Sequence, residues 1–286
     1  MSEIIENAES VEAIEATDIV EEAELEQAPV DDGLFHFVDE PEDLPLERRE
    51  FLVKRIERIK AMAQRKQDAL DKLAAICEPL GVDPNEIQLF IPHHGTDPIP
   101  LTEASLAGIR CFSENRLMVS GQVSEYFPEI TWIYTGDLLY NRMDEVVAGD
   151  NMVYVIRDMD YLSILNRWLL ARGLHAGILL EVNLSGNHFL DGILPALCQN
   201  VARMMDLYPT LTLEGFALDL PQDCDAALEA LAKIRELAAA VIKHYGKKEN
   251  VNADQIMVKN FCDWSCAIEG GATILPIAWN EVIVEV

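Results

Sequence analysis

Met152-Val153-Tyr154-Val155-Ile156, the segment Tyr161–Arg172, and Ala176-Gly177-Ile178-Leu179-Leu180-Glu181-Val182 form the stretch that decides the fold. The outer runs are short, apolar and rich in branched residues, which reads as strands; the segment between them has the apolar spacing of an amphipathic helix. Ten or more residues between successive strands suit a right-handed crossover between parallel neighbours. Outward from this unit the alternation continues. Strands are expected near Gln88–Pro92, Ile109–Ser113, Ile130–Tyr134, Met152–Ile156, Ala176–Val182, Leu211–Ala217, Gln255–Val258 and Thr273–Ile277, with a long helix over Asp225–Tyr245. Eight such units predict an α/β chain closed as a (β/α)8, TIM-type barrel, with a doubly wound open sheet as the alternative.

Ahead of the barrel, Leu46–Leu80 carries Phe51, Leu52, Ile56, Ile59, Met62, Leu70, Leu73 and Ile76 at mostly three- and four-residue spacing and predicts a leading helix closed by Gly81, Asp83 and Pro84. Its face from Arg48 to Lys72 holds nine of the 22 cationic residues. Residues 1–45 are a different kind of sequence. Sixteen Asp or Glu and no Lys or Arg fall within the first 46 residues, out of a net charge of −28. This reads as a disordered acidic tail, followed over 46–286 by the helix and barrel. The tail would suit a basic protein partner or the basic face of the leading helix, through a salt-sensitive contact.

The charge argues against nucleic acid and anionic membrane as partners, because phosphate is bound by clustered Lys and Arg. No run of about 18 apolar residues occurs. The six cysteines show no close-paired framework, so reduced thiols and a cytoplasmic location are the expectation.

In a parallel barrel, chemistry sits where strands end at the carboxyl face. The segments there are His93-His94-Gly95, Phe112-Ser113-Glu114-Asn115, Thr135-Gly136-Asp137-Leu138 through Asn141-Arg142, Asn183-Leu184-Ser185-Gly186, Asn260-Phe261-Cys262-Asp263 and Ala278-Trp279-Asn280. In order, they resemble the pyridoxal phosphate homeostasis protein family (YggS/PROSC type), whose barrel is related to the N-terminal domain of alanine racemase. Phe112-Ser113-Glu114-Asn115 is similar to that family's F-G-E-N, and Trp132 through Arg142 to its W-H-F-I-G-x-L-Q-x-N-K. Val182-Asn183-Leu184-Ser185 with Asp191-Gly192-Ile193 resembles V-N-x-S…x-G-I, and Leu213-Glu214-Gly215-Phe216 resembles L-x-G-L-M. The resemblance spans about Asp71 to Ile283 and implies pyridoxal 5'-phosphate as the family's cofactor.

The departures fall where that family holds its cofactor. No lysine occurs between Lys72 and Lys233, and the register of the resemblance puts His94 where the family's Schiff-base lysine stands. Imidazole forms no stable imine. By the same register Phe261 replaces the phosphate-binding serine, Pro276 the arginine near the pyridine nitrogen, and Ala278 and Trp279 the glycine and threonine near the phosphate. Phe261 and Trp279 are expected to fill the vacated phosphate position. Glu114, Asn115, Asn141, Arg142, Asn183 and Ser185 would remain as residues shaping the mouth.

The expectation is therefore a cofactor-free, non-catalytic member acting by binding a small ligand or a protein. Two alternatives stay open. Lys259, near the end of the seventh strand, would supply a substitute amine for pyridoxal phosphate; or His93, His94 and Cys262 would converge on a metal ion, making the mouth a metal-dependent active site. Glu114 and Asp137, at neighbouring strand ends, would serve as an acid–base pair or as partners of loop backbone N–H groups.

Overall fold

The computed structural model describes residues 46–93, 95, 97–115, 120–139, 143, 151–186 and 191–284. The acidic segment 1–45, His94, Asn141 and Arg142 lie outside the described residues. Chain contacts divide the protein into residues 1–46 and 47–286, and the barrel lies in the second unit.

Eight parallel strands close on themselves in sequence order: β1 (Gln88–His93), β2 (Cys111–Glu114), β3 (Thr131–Tyr134), β4 (Met152–Ile156), β5 (Ala176–Glu181), β6 (Leu211–Leu218), β7 (Val251–Val258) and β8 (Ile274–Pro276). The ring closes where β1 pairs with β8, Phe90 lying opposite Pro276. Helices on the outside are α1 (Leu46–Leu80), α2 (Pro98–Leu106), α3 (Ser120–Tyr126), α4 (Asp160–Arg172), α5 (Pro195–Met204), α6 (Cys224–Tyr245), α7 (Trp264–Glu269) and the short α8 (Trp279–Val282). The open-sheet alternative is excluded, because β1 and β8 leave no free edge between them.

Strand alternation sorts the core into two layers. Inside the barrel, Phe90, Cys111, Ile133, Val155, Leu179, Ala217, Met257 and Ile274 form one cluster, one residue from each strand. The side chains between them in sequence face the helices. Phe112, Trp132, Tyr154, Ile178 and Phe216 pack there against residues such as Leu162, Leu165 and Leu169 of α4 and Leu231, Ile234 and Val241 of α6. Each fully buried aliphatic side chain contributes about 1.5–3 kcal/mol. Aspartates cap the starts of α2, α6 and α7: Asp97, Asp223 and Asp263 accept backbone N–H groups from Ile99, Ala226 and Ser265.

Two glycines of the motifs are explained by close approach. A side chain at Gly215 would collide with the backbone of Gln255 on β7, next to the register shift in the β6–β7 pairing. Gly192, at φ +102°, lets the loop after β5 fold back so that Ile193 bridges Val182. Ile193 N–H then donates to Glu181 O at 2.7 Å, and Asn183 N–H to Ile193 O at 3.0 Å.

The leading helix is docked, not free. Arg58 donates from Nε and Nη2 to the buried Glu103 of α2, at 2.9 and 2.6 Å, and Arg55 Nε lies 3.2 Å from the same carboxylate. Arg65 donates to Ile283 O at 2.9 Å, and the Lys72 ammonium stands 4.9 Å from the Trp264 ring centroid. Four cations of the face expected to attract the acidic tail are thus engaged by the barrel's own elements.

The expectation of six reduced thiols also needs correction. Cys224 at the start of α6 and Cys266 on α7 form a disulfide, with Cα atoms 5.9 Å apart across a sequence separation of 42. Cys77, Cys111, Cys198 and Cys262 are free. Spacing could not reveal the pair, because only the barrel's closure brings the two helices together. Among the described residues no helix is long and apolar enough to cross a membrane.

Candidate functional site

The carboxyl ends of the strands carry polar side chains on both sides of the barrel wall. On the inward side the alternation of the interior cluster continues upward, from Val155 to Arg157, from Leu179 to Glu181, from Ala217 to Asp219 and from Met257 to Lys259. Lys259 therefore reaches into the mouth. Its ammonium lies 2.7 Å from Glu181 Oε1 and 3.1 Å from Asp219 Oδ2. Arg157, beside Glu181 in the strand register, stands 3.4 Å from Asp137 and 3.7 Å from Asp191 and donates to Thr135 O. These contacts tie the loops after β3 and β5 to β4.

On the helix-facing side, His93 of β1 lies opposite Glu114 of β2, which lies opposite Tyr134 of β3. His93 Nδ1 and Glu114 Oε1 are 3.6 Å apart, with both side chains almost wholly buried. Trp279 is half-buried and packs on His93, ring centroids 5.2 Å apart. Tyr134 and Tyr154 meet edge to face at 6.0 Å. Burial raises the Tyr154 hydroxyl well above its ordinary pKa, with Tyr134 adding to the effect.

Of the residues expected around the cofactor, Trp279 thus belongs to this network, whereas Phe261, Pro276 and Ala278 lie in a separate cleft. Phe261, Cys262, Asp263, Pro276 and Ala278 line a cleft of about 410 Å³ together with Lys72, Ile76, Trp264 and Glu281. Phe261 does not plug it: its side chain is 53% exposed. Asp263, in the same lining, caps α7 by accepting Ser265 N–H. Burial, with Asp263 adding, pushes the Cys262 thiol up to about 11.

His93 and Cys262 serve different neighbourhoods, since His93 faces Glu114 whereas Cys262 lines the cleft. Among the described residues no three His, Cys, Asp or Glu side chains come together as a metal site. Glu114 and Asp137 do not form a pair either; Glu114 is buried beside His93, and Asp137 is exposed beside Arg157. Asn183 shapes its loop by accepting from Ser185 N–H at 3.0 Å and Ser185 Oγ–H at 2.6 Å. Asn115 is exposed just past β2. The inward row Arg157, Glu181 and Asp219 escaped the motif reading. Its signal was the first charged residue met at inward parity as each apolar strand ends.

A parallel eight-stranded barrel with its polar groups at the carboxyl mouth defines the TIM-type class, and an alanine racemase from Clostridium difficile shares the fold at a TM-score of 0.52 and 10% identity, over 74% of this chain and 55% of that one. PipY of Synechococcus elongatus, in its form with PLP bound, superimposes at a TM-score of 0.63 and 19% identity, over 78% of this chain and all of PipY. In sequence, the pyridoxal phosphate homeostasis protein of Vibrio cholerae is 28% identical over 193 residues, 64% of this chain and 79% of that protein. Its namesake from Vibrio alginolyticus is 24% identical over 203 residues, 69% of this chain and 86% of that protein. Over these stretches the chain is similar to proteins named pyridoxal phosphate homeostasis protein. No protein-family model matches it.

Proposed function

We propose that this barrel is a non-catalytic binding protein of the pyridoxal phosphate homeostasis type whose mouth no longer holds that cofactor through an imine and a phosphate cradle. The observation that carries the reading is the cleft around Phe261 and Ala278. A phosphate is held by free N–H groups, hydroxyls and cations. Here two carboxylates, Asp263 and Glu281, stand against one ammonium, that of Lys72. Asp263 itself takes the Ser265 N–H, at 2.8 Å, that an anion at this helix start would need. The residues present do not fit the phosphate group.

The lysine position supports the same reading. His94 offers no amine, and the inward amine at Lys259 is an ammonium between Glu181 and Asp219. An imine at this nitrogen would give up both ion pairs. Lys259 nevertheless favours the second reading, a pyridoxal phosphate carrier with a displaced anchor, because it does point into the mouth.

The two readings separate in one experiment. Pyridoxal phosphate is added to the wild type and to Lys259→Ala, the imine absorbance band is followed, and the mixture is reduced with borohydride before peptide mapping. The expected result is no stoichiometric adduct and no difference between the two proteins. An imine band that appears in the wild type and vanishes in Lys259→Ala would establish the carrier instead.

A further inference from the structure

We infer that the cleft between α1 and the outer face of the barrel wall at β1 and β2 is a binding site for a medium-chain aliphatic carboxylate. It lies on the helix-facing side of the wall, apart from the mouth, so the inference does not depend on how the mouth is read. The cleft has a volume of about 260 Å³, somewhat smaller than a drug-sized site. Ile87, Ile91, Ile109, Ile277 and Val282 are buried and form its apolar wall, and the exposed Leu70 of α1 completes the lining.

The charges around this wall do not balance. Lys66, Arg110 and Glu129 are the charged residues of the lining. Arg110 is already satisfied: its Nε lies 3.2 Å from Glu129, and its Nη1 donates to Ser105 O at 2.7 Å and to Ile109 O at 3.0 Å. Lys66 is left over. Its neighbours on α1, Arg65 and Lys72, are engaged by the barrel, whereas Lys66 has no hydrogen bond or ion pair among the described residues. Yet it does not extend freely into water. The side chain is half-buried, and the ammonium lies over Gly108, 2.9 Å from where a β-carbon would stand. Gly108, at φ +87°, leaves that space open. The chain has 50 Asp and Glu against 22 Lys and Arg, but the one carboxylate in this lining is taken by Arg110. A cation drawn over apolar surface without a counter-charge is short of a partner, and an anion brought by a ligand supplies it.

Apolar wall and surplus cation together select the ligand class. An inorganic anion would leave the wall wet, and a neutral alcohol forgoes the charge-assisted bond. An alkanoate pairs its head with Lys66 and covers the wall with its chain. The small volume favours a medium chain over a long one.

The test titrates octanoate, hexanoate, butanoate and octan-1-ol calorimetrically into the full-length protein. A single saturable site for octanoate is expected, with affinity rising about fourfold for each methylene from butanoate to octanoate. Lys66→Met keeps the length of the side chain and removes its charge; it should weaken octanoate by about tenfold or more and leave octan-1-ol unchanged. Leu70→Glu, at an exposed position that folding tolerates, places a like charge in the lining and should weaken octanoate as much. Lys243→Met, an equal charge change on the exposed surface of α6, should leave octanoate binding unchanged. The absence of a saturable octanoate site, octan-1-ol binding as tightly as octanoate, or a loss in Lys243→Met equal to that in Lys66→Met would each overturn the inference. An imine with pyridoxal phosphate alongside intact octanoate binding would overturn only the proposed function.

Discussion

At the scale of single residues, charged side chains placed where water is scarce are the ones whose truncation leaves a partner desolvated and unpaired. Glu103 is 2% exposed and faces two guanidinium groups from α1. Removing one partner of a buried ionic cluster leaves the others desolvated and unpaired, at a cost of about 3–5 kcal/mol. Glu103→Ala should therefore lower unfolding stability by roughly that amount, as read from denaturant titration; a change below about 1 kcal/mol, typical of exposed pairs, would mean that the cluster is solvated. The sequence supplied the identities of the residues that the family resemblance sets over cofactor positions, His94, Phe261, Pro276, Ala278 and Trp279. What the rings do was not legible. Trp279 packs on His93, whereas Phe261 stands exposed at a rim, because a side chain's direction depends on how its loop leaves the strand.

The elements were the most readable level. All eight strands lie where apolar runs placed them, with ends moved by a few residues, because a strand buried on both faces must be apolar throughout. The strand β7 begins at Val251, earlier than the apolar run, since its first turn of sequence alternates exposed Asn252 and Asp254 with buried Val251 and Ala253. Contacts between elements were less readable, and the α6–α7 disulfide is the clearest instance. Under denaturing, non-reducing conditions four thiols should react, and two more after treatment with a dithiol reductant. Closing a loop of 42 residues stabilises by up to about 4 kcal/mol in the chain-entropy account, so Cys224→Ser should lower the midpoint of thermal unfolding measurably. Six reactive thiols before reduction would show that the two sulfurs remain unjoined in solution.

For the whole molecule, pH acts through the buried thiols. Burial pushes Cys111 and Cys198 from 9.0 up to about 12, and Cys262 to about 11. A folded-state pKa above the unfolded value means that the folded protein holds its protons more tightly. Stability from these groups is complete below pH 9.0 and is lost as the pH rises toward 12. Urea midpoints measured between pH 8 and 11 should fall steadily above about pH 9; midpoints that rise there would contradict the burial of the thiols. Asp137, Asp158 and Asp191 line one cleft with Arg157.

The sequence by itself determined eight parallel β/α units, because apolar strands separated by amphipathic helices leave few ways to bury every strand; their closure into a barrel was decided by the pairing of β1 with β8. It also determined that no lysine lies between Lys72 and Lys233, since composition is independent of folding. Only the tertiary structure decided which charges meet. Lys259 with Glu181 and Asp219, Arg157 with Asp137 and Asp191, and His93 with Glu114 are pairs between residues distant in sequence. Their partnerships follow from strand register and from which side of the wall each side chain leaves, and both are settled only when the sheet closes.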